Sequence, residues 1–205
     1  MLTKLKQRIQ ALMAYEAQLV YKIGITPNLA SAIGILTAIA SASMYVSPQL
    51  YPFNLVAASF FLLVSGFFDA LDGVIARLYG RVTVFGGFLD SMLDRYADAL
   101  VLTGILLGGF ADVSWGLLAL MGSLLVSYSR ARAEAAGVKM ETIGLAERAE
   151  RTFILVIASL LTLIWNYALW WSIILLAILT NLTVLQRAVY FRKASKKREA
   201  TTPVI

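Results

Sequence analysis

The sequence contains neither cysteine nor histidine. Disulfides and thiol chemistry are therefore excluded, and any metal site must be built from hard oxygen ligands. Charged residues are scarce as well, at 15% of the chain against 60% apolar residues, and the mean hydropathy of +0.76 is too high for an ordinary soluble domain. Lys and Arg (18) outnumber Asp and Glu (12). They flank apolar runs, however, and form no stripe with interleaved aromatics, which argues against a nucleic-acid partner. No soluble second domain and no internal repeat is discernible. What is present in the 205 residues is the pattern of a multi-span membrane protein.

Six stretches approach or exceed the roughly 20 residues a bilayer requires: Asn28–Val46, Phe53–Leu78, Val84–Gly109, Val113–Glu134, Arg148–Trp165 and Ala168–Tyr190. The connectors Ser47–Pro52, Phe110–Asp112 and Asn166–Tyr167 carry no basic residue, and all 18 Lys and Arg lie at the N-terminus, near the other two turns or in the tail. The expected fold is an all-α membrane protein with six transmembrane helices and both termini on the cytoplasmic side of a cell membrane. Trp115, Trp165, Trp170 and Trp171 fall at the expected outer ends, as an aromatic belt. Ahead of the bundle, Leu5, Ile9, Leu12 and Met13 recur at helical spacing against Lys4, Lys6, Arg8 and Gln10. This predicts an amphipathic helix on an anionic membrane surface, and no small-residue cleavage site marks it as a leader. The chain thus reads as one domain: a juxtamembrane helix over 1–23, a six-span bundle over 28–190 and a basic cytoplasmic tail over 191–205.

Between two of the apolar runs lie four carboxylates, Asp69, Asp72, Asp90 and Asp94. Acids at such depth are costly and point to function. Asp69 and Asp72 share a face at i,i+3, and Asp90 and Asp94 share one at i,i+4. With a tight turn around Tyr79–Thr83, the two pairs come level across an antiparallel hairpin. Four ionised carboxylates that close repel one another unless a cation joins them. Oxygen ligands alone favour Mg²⁺ or Mn²⁺, and a pair of ions bridged by shared carboxylates fits. Gly73, Gly86 and Gly87 would let helices or phosphates approach closely. The competing account, separate acids paired with Arg77, Arg81 and Arg95, needs neither this density nor this sharing of faces.

These residues form the pattern D-x2-D-G-x2-A-R-x8-G-x3-D-x3-D, matched at Asp69, Asp72, Gly73, Ala76, Arg77, Gly86, Asp90 and Asp94. The sequence thereby resembles the CDP-alcohol phosphatidyltransferase family. The resemblance implies a metal-dependent phosphotransferase acting on a CDP-linked lipid, with Asp69, Asp72, Asp90 and Asp94 on two metal ions. It also implies Asp94 as general base, and a homodimer. Arg77 and Gly73 would hold the donor's pyrophosphate, with Thr83 supplying a hydroxyl nearby. The entry to the first span, Thr26-Pro27-Asn28-Leu29-Ala30-Ser31, is a stretch that in the family touches the nucleotide, which makes Asn28, Leu29, Ala30 and Ser31 donor-binding candidates. On sequence alone Asn28 serves equally as a helix N-cap. Asp98 continues the Asp90–Asp94 face outside the pattern and is expected to bond Arg95.

A second constellation surrounds the fourth and fifth spans: Ser127-Tyr128-Ser129-Arg130-Ala131-Arg132-Ala133-Glu134, then Glu147-Arg148-Ala149-Glu150-Arg151, and Arg187 in the last span. Arginine forks grip phosphate oxygens in pairs, although topology signals and salt bridges with Glu134, Glu147 and Glu150 would also explain these residues. The motifs resemble the inositol-phosphate-using branch of the family. That resemblance implies Arg130, Arg132, Arg148, Arg151 and Arg187 as the grip on the acceptor's phosphate, and inositol 1-phosphate as acceptor. Glycerol 3-phosphate or a neutral alcohol remains the alternative, and a cation or proton transporter is the alternative of a different class. The donor lipid, diacylglycerol or archaeal ether, is not specified.

Overall fold

The computed structural model of the chain describes residues 13–140 and 143–201, with side chains as far as 196. The stretch of the expected surface helix that carries Lys4, Lys6 and Arg8 lies outside these residues, as does the end of the tail. A helix at 13–22 (α1) is followed by α2 (Pro27–Tyr45), α3 (Phe53–Leu78), α4 (Val84–Leu107), α5 (Val113–Ala135), α6 (Arg148–Leu161) and α7 (Ala168–Thr201). A 3-10 turn, Pro48–Leu50, links α2 to α3, and among the described residues there is no strand.

The principal contacts close a ring. α2 packs on α3, α3 on α6, α6 on α7, α7 on α5, α5 on α4, and α4 returns to α2. All six helices contribute to the apolar interior, where Val101, Ile105, Leu155, Leu169, Ile173 and Leu176 are buried beside Ala38, Ala58 and Ala119. In a bilayer apolar burial gives helices little drive to associate, so close packing and interhelical hydrogen bonds must hold them. Both are present. A Cβ on Gly104 would lie 2.7 Å from the Ala42 carbonyl oxygen, so α2 and α4 touch backbone to backbone. Ser41 donates to the Ala58 carbonyl at 2.8 Å, and the Tyr45 and Ser159 hydroxyls meet at 2.6 Å. α1 docks on the outside, with Ala17 buried against Ala30, Leu71 and Ile75.

Three helices, α2, α3 and α7 as far as Lys196, are by themselves long and apolar enough to cross a membrane. α4 and α5 carry the charged constellations. α6 has 14 residues and stops at Leu161, short of the expected Trp165. There the Thr162 hydroxyl accepts from the Leu169 amide at 3.0 Å and turns the chain into α7. α7 itself runs past the expected end at Tyr190, because no glycine or proline interrupts it, and Phe191 and Ala194 pack on Ala133, Val138 and Met140. The first part of the expected basic tail is therefore helix. At the start of α2 the cap is Thr26, whose hydroxyl accepts from the Leu29 amide at 3.4 Å; Asn28 lies inside the first turn and does not cap.

Candidate active site

The hairpin of α3 and α4 sets the site. α3 ends in a left-handed glycine, Gly80 (φ 62°), and the Arg81 amide reaches back to the Ala76 carbonyl at 2.8 Å, which closes the helix as C-terminal glycine motifs do. Three residues after Gly80, the Thr83 hydroxyl caps α4 by accepting from the Gly86 amide at 2.9 Å. Both ends of the turn are thus tied down. The last two turns of α3 face the first two of α4, and the start of α2 lies alongside.

Between these segments is a cleft of about 280 Å³ lined by Asn28, Ser31, Asp72, Gly73, Arg77, Arg81, Thr83, Gly86, Gly87 and Asp90. Its glycines leave room. A Cβ on Gly73 would come within 3.2 Å of Arg77 Nη1, and one on Gly86 within 2.8 Å of the Thr83 hydroxyl that caps the helix. A Cβ on Gly87 would meet nothing within 4 Å, and Gly87 lines the cleft. Arg77 and Arg81 are exposed along the rim, and the Arg81 guanidinium stands 5.4 Å above the ring of Tyr21, itself stacked on Tyr79. Neither arginine forms an ion pair among the described residues; of the three arginines that the competing account pairs with the acids, Arg95 does so, 3.7 Å from Asp94.

Deeper in, the carboxylate oxygens of Asp69, Asp90 and Asp94 lie within 4.8 Å of one another. Asp72 is 5% exposed and accepts from the Ser31 hydroxyl at 2.5 Å, a contact that ties α2 to α3. The donor set is wholly carboxylate and hydroxyl oxygen, the chemistry suited to Mg²⁺ or Mn²⁺, so the residues present fit such an ion. Arg148, at the first turn of α6, reaches the same cluster: its Nη1 contacts Asp69 and lies 2.5 Å from Asp94, and its Nε is 3.6 Å from Asp98.

Not every expected residue joins this site. Leu29 is 47% exposed and does not line the cleft, and Ala30 is fully buried in the packing beneath α1. Arg151 is 5% exposed and donates to Asp98 at 2.5 Å and to the Ala146 carbonyl at 3.0 Å. Arg187, 2% exposed, donates to the Ile143 carbonyl at 2.8 Å and to that of Val126. Arg130 pairs with Glu134 at 2.9 Å on the surface, as the i,i+4 spacing suggests. Arg132 is exposed beside an apolar groove that it shares with Tyr128 and Phe191. Asp98 binds Arg151 and Arg148, and not the expected Arg95, which turns to the Ser91 carbonyl and to Asp94 at 3.7 Å. Sequence reasoning missed two cleft-side features. The place of Arg81 was signalled by the preceding Gly80, whereas the reach of Arg148 to Asp69 and Asp94 left no local trace.

Carboxylates gathered for divalent cations, at the end of an apolar helix bundle and beside an arginine-rimmed cleft, suit a transferase that handles phosphate esters of lipids. The CDP-alcohol phosphatidyltransferase profile matches residues 25–184. The archaetidylinositol phosphate synthase of Pyrococcus horikoshii is 42% identical over 194 residues, which is 94% of this chain and 97% of that protein. Two solved structures of the phosphatidylinositol phosphate synthase of Mycobacterium tuberculosis superpose with a TM-score of 0.75. The one with CDP-DAG bound is 28% identical and is matched over 88% of this chain and 94% of that one. The one in complex with manganese and citrate is 29% identical and is matched over 87% and 88%. The chain belongs to the CDP-alcohol phosphatidyltransferase family.

Proposed function

We propose that this protein transfers the phosphatidyl-type group of a CDP-linked lipid to a hydroxyl of inositol 1-phosphate and releases CMP. The observation that carries the reading is a shared wall: Ser31, Asp72 and Asp90 line both the cleft and the carboxylate cluster. A pyrophosphate lying in the cleft therefore ends against the carboxylates. Inositol 1-phosphate as acceptor is supported by the archaeal relative, which is similar along nearly its whole length.

In this reading Asp69, Asp72, Asp90 and Asp94 hold two Mg²⁺ or Mn²⁺ ions. When bound, these supply positive charge to the pyrophosphate and to the leaving CMP. Arg77 grips the pyrophosphate from the rim, where its donors are open, while Gly73, Gly86 and Gly87 let phosphate oxygens approach the backbone. Asn28, Ser31 and Thr83 present polar groups to the nucleotide side. Asp94 takes the proton from the attacking inositol hydroxyl. A bond forms from that oxygen to the lipid-side phosphorus as the bond to CMP breaks, in one displacement without a covalent enzyme intermediate. Arg130, Arg132 and Arg148 offer positive charge to the acceptor's phosphate, and Arg151 and Arg187 hold the 143–146 segment behind them. We place all six helices α2–α7 across the membrane, with both termini and the site on the cytoplasmic side, and the active species as a homodimer.

The test is direct. Purified protein with Mg²⁺, inositol 1-phosphate and either CDP-archaeol or CDP-diacylglycerol should release CMP and yield a lipid whose mass includes inositol phosphate. CMP release with glycerol 3-phosphate or serine, and none with inositol 1-phosphate, would overturn the acceptor. Ion flux in liposomes without CMP release would overturn the enzyme.

A further inference from the structure

The place of Arg148 in the structure is more than its charge toward the acceptor's phosphate requires. Its Nη1 lies against both Asp69 and Asp94, inside a cluster whose acidic oxygens approach to within 4.8 Å. A divalent ion held by those oxygens and this guanidinium cannot occupy the same place. Arg148 is held by two acids at once: its Nη1 lies against Asp69 and 2.5 Å from Asp94. Its neighbour Arg151 differs, with directed bonds to Asp98 at 2.5 Å and to the Ala146 carbonyl at 3.0 Å. A divalent cation competes for the same two oxygens of Asp69 and Asp94 with twice the charge of the Arg148 guanidinium. Asp98 sits one turn beyond Asp94 on α4. Its Oδ2 is fixed by Arg151, and its Oδ1 faces Arg148 Nε at 3.6 Å.

We propose that Arg148 is the built-in counter-ion of the carboxylate cluster, that a divalent ion must displace it from Asp69 and Asp94, and that Asp98 is the seat to which it withdraws. The proposal rests on the reading of Asp69 and Asp94 as metal ligands and adds to it a positioning pair, Arg148 and Asp98. Without its own cation the metal-free cluster would hold several like charges together in a half-buried site, a costly arrangement. With it, part of that charge is offset until metal arrives. Because the two cations exclude each other, each lowers the protein's affinity for the other by the same factor.

The test measures Mn²⁺ binding to the purified protein without substrates, by calorimetry or by the spin signal of the free ion, together with the melting temperature in EDTA. Arg148→Gln is expected to bind Mn²⁺ about tenfold more tightly than the wild type, and to melt at a lower temperature in EDTA. Arg95→Gln removes an equal charge 3.7 Å from Asp94 but leaves Arg148 seated, so it should tighten binding only about twofold. Asp98→Asn should weaken Mn²⁺ binding about fivefold, and should have no such effect when Arg148→Gln is also present.

The proposal is overturned if Arg148→Gln binds Mn²⁺ no more tightly than the wild type. It is also overturned if Arg95→Gln matches Arg148→Gln, which would make the effect one of net charge. A weakening by Asp98→Asn that persists without Arg148 removes Asp98 from the scheme. If instead the wild type binds no Mn²⁺, or Asp69→Asn and Asp94→Asn bind it as the wild type does, the ligand assignment itself fails.

Discussion

On the α2–α3–α4 side of the ring, Arg77 and Arg81 stand exposed along a cleft of about 280 Å³ and pair with no acid among the described residues. On the α5–α6–α7 side, Arg151 and Arg187 are 5% and 2% exposed, and their donors go to backbone carbonyls and to Asp98. The same side chain thus stands in two kinds of surroundings within one small bundle. A guanidinium whose donors face open space is ready for a phosphate. One already bonded to the Ala146 or Ile143 carbonyl has fewer donors to offer, and freeing those would leave a buried carbonyl without a donor at a cost of about 1–3 kcal/mol. The contrast separates arginines whose donors are open from arginines whose donors are already bonded, and motif membership alone does not separate them.

The hardest test of the contrast removes what the two sides converge on. Asp94→Asn takes away the proposed proton acceptor and a ligand together, and CMP release should fall about 10²–10⁴-fold or more. Wild-type turnover would remove Asp94 from the chemistry altogether. Next in size is Arg151→Ala, which leaves Asp98 without its buried partner. It should destabilise the fold by about 3–5 kcal/mol, seen as a clear drop in melting temperature in detergent. If it melts like the wild type and only the KM for inositol phosphate rises, Arg151 belongs with the binding arginines. Arg77→Ala should do the reverse: unchanged melting, with kcat/KM for the CDP-lipid lowered by the loss of about 1.5–3 kcal/mol, roughly tenfold to a hundredfold. Smallest of all is Arg130→Ala. Its exposed pair with Glu134 is worth about 0.3–0.5 kcal/mol, so melting should barely change. The charge it offers the acceptor from the surface should raise the KM for inositol 1-phosphate only about twofold to fivefold when lost.

The carboxylate cluster was legible in the sequence because helical periodicity assigns faces, and a short turn between two helices fixes which faces meet. What the turn does not supply is α2, which packs on both α3 and α4 in the ring. The turn itself was readable from Tyr79–Thr83, where Gly80 ends one helix and Thr83 caps the next. What periodicity cannot supply is the partner across the ring. Asp98 was assigned to Arg95, a neighbour on its own helix, but its true partner Arg151 is 53 residues away, and Arg187 reaches Val126 over 61. Such contacts depend on how α4, α5, α6 and α7 are arranged, which local spacing does not encode. The cap of α2 was left open for a different reason. Thr26 and Asn28 are both good caps, and only the start of the helix at Pro27 decides between them. The extent of α7 was underestimated because hydropathy falls after Tyr190 while helix propensity does not.

The contact between α2 and α4 also works as a mechanical linkage. Near the far end of the bundle the two helices touch at Gly104 and Ala42, with 2.7 Å left for any Cβ; at the other end Asn28 and Gly87 stand apart across the cleft. From Ala42 to Asn28 is about 21 Å of helix rise, so a splay of only about 3° at the touching end moves the cleft wall by about 1 Å. An alanine at Gly104 would act as a shim driven into a hinge. Misplacement on that scale can cost an enzyme about a hundredfold, so the gauge that sets the width of the jaw lies at the opposite end of the lever from the load.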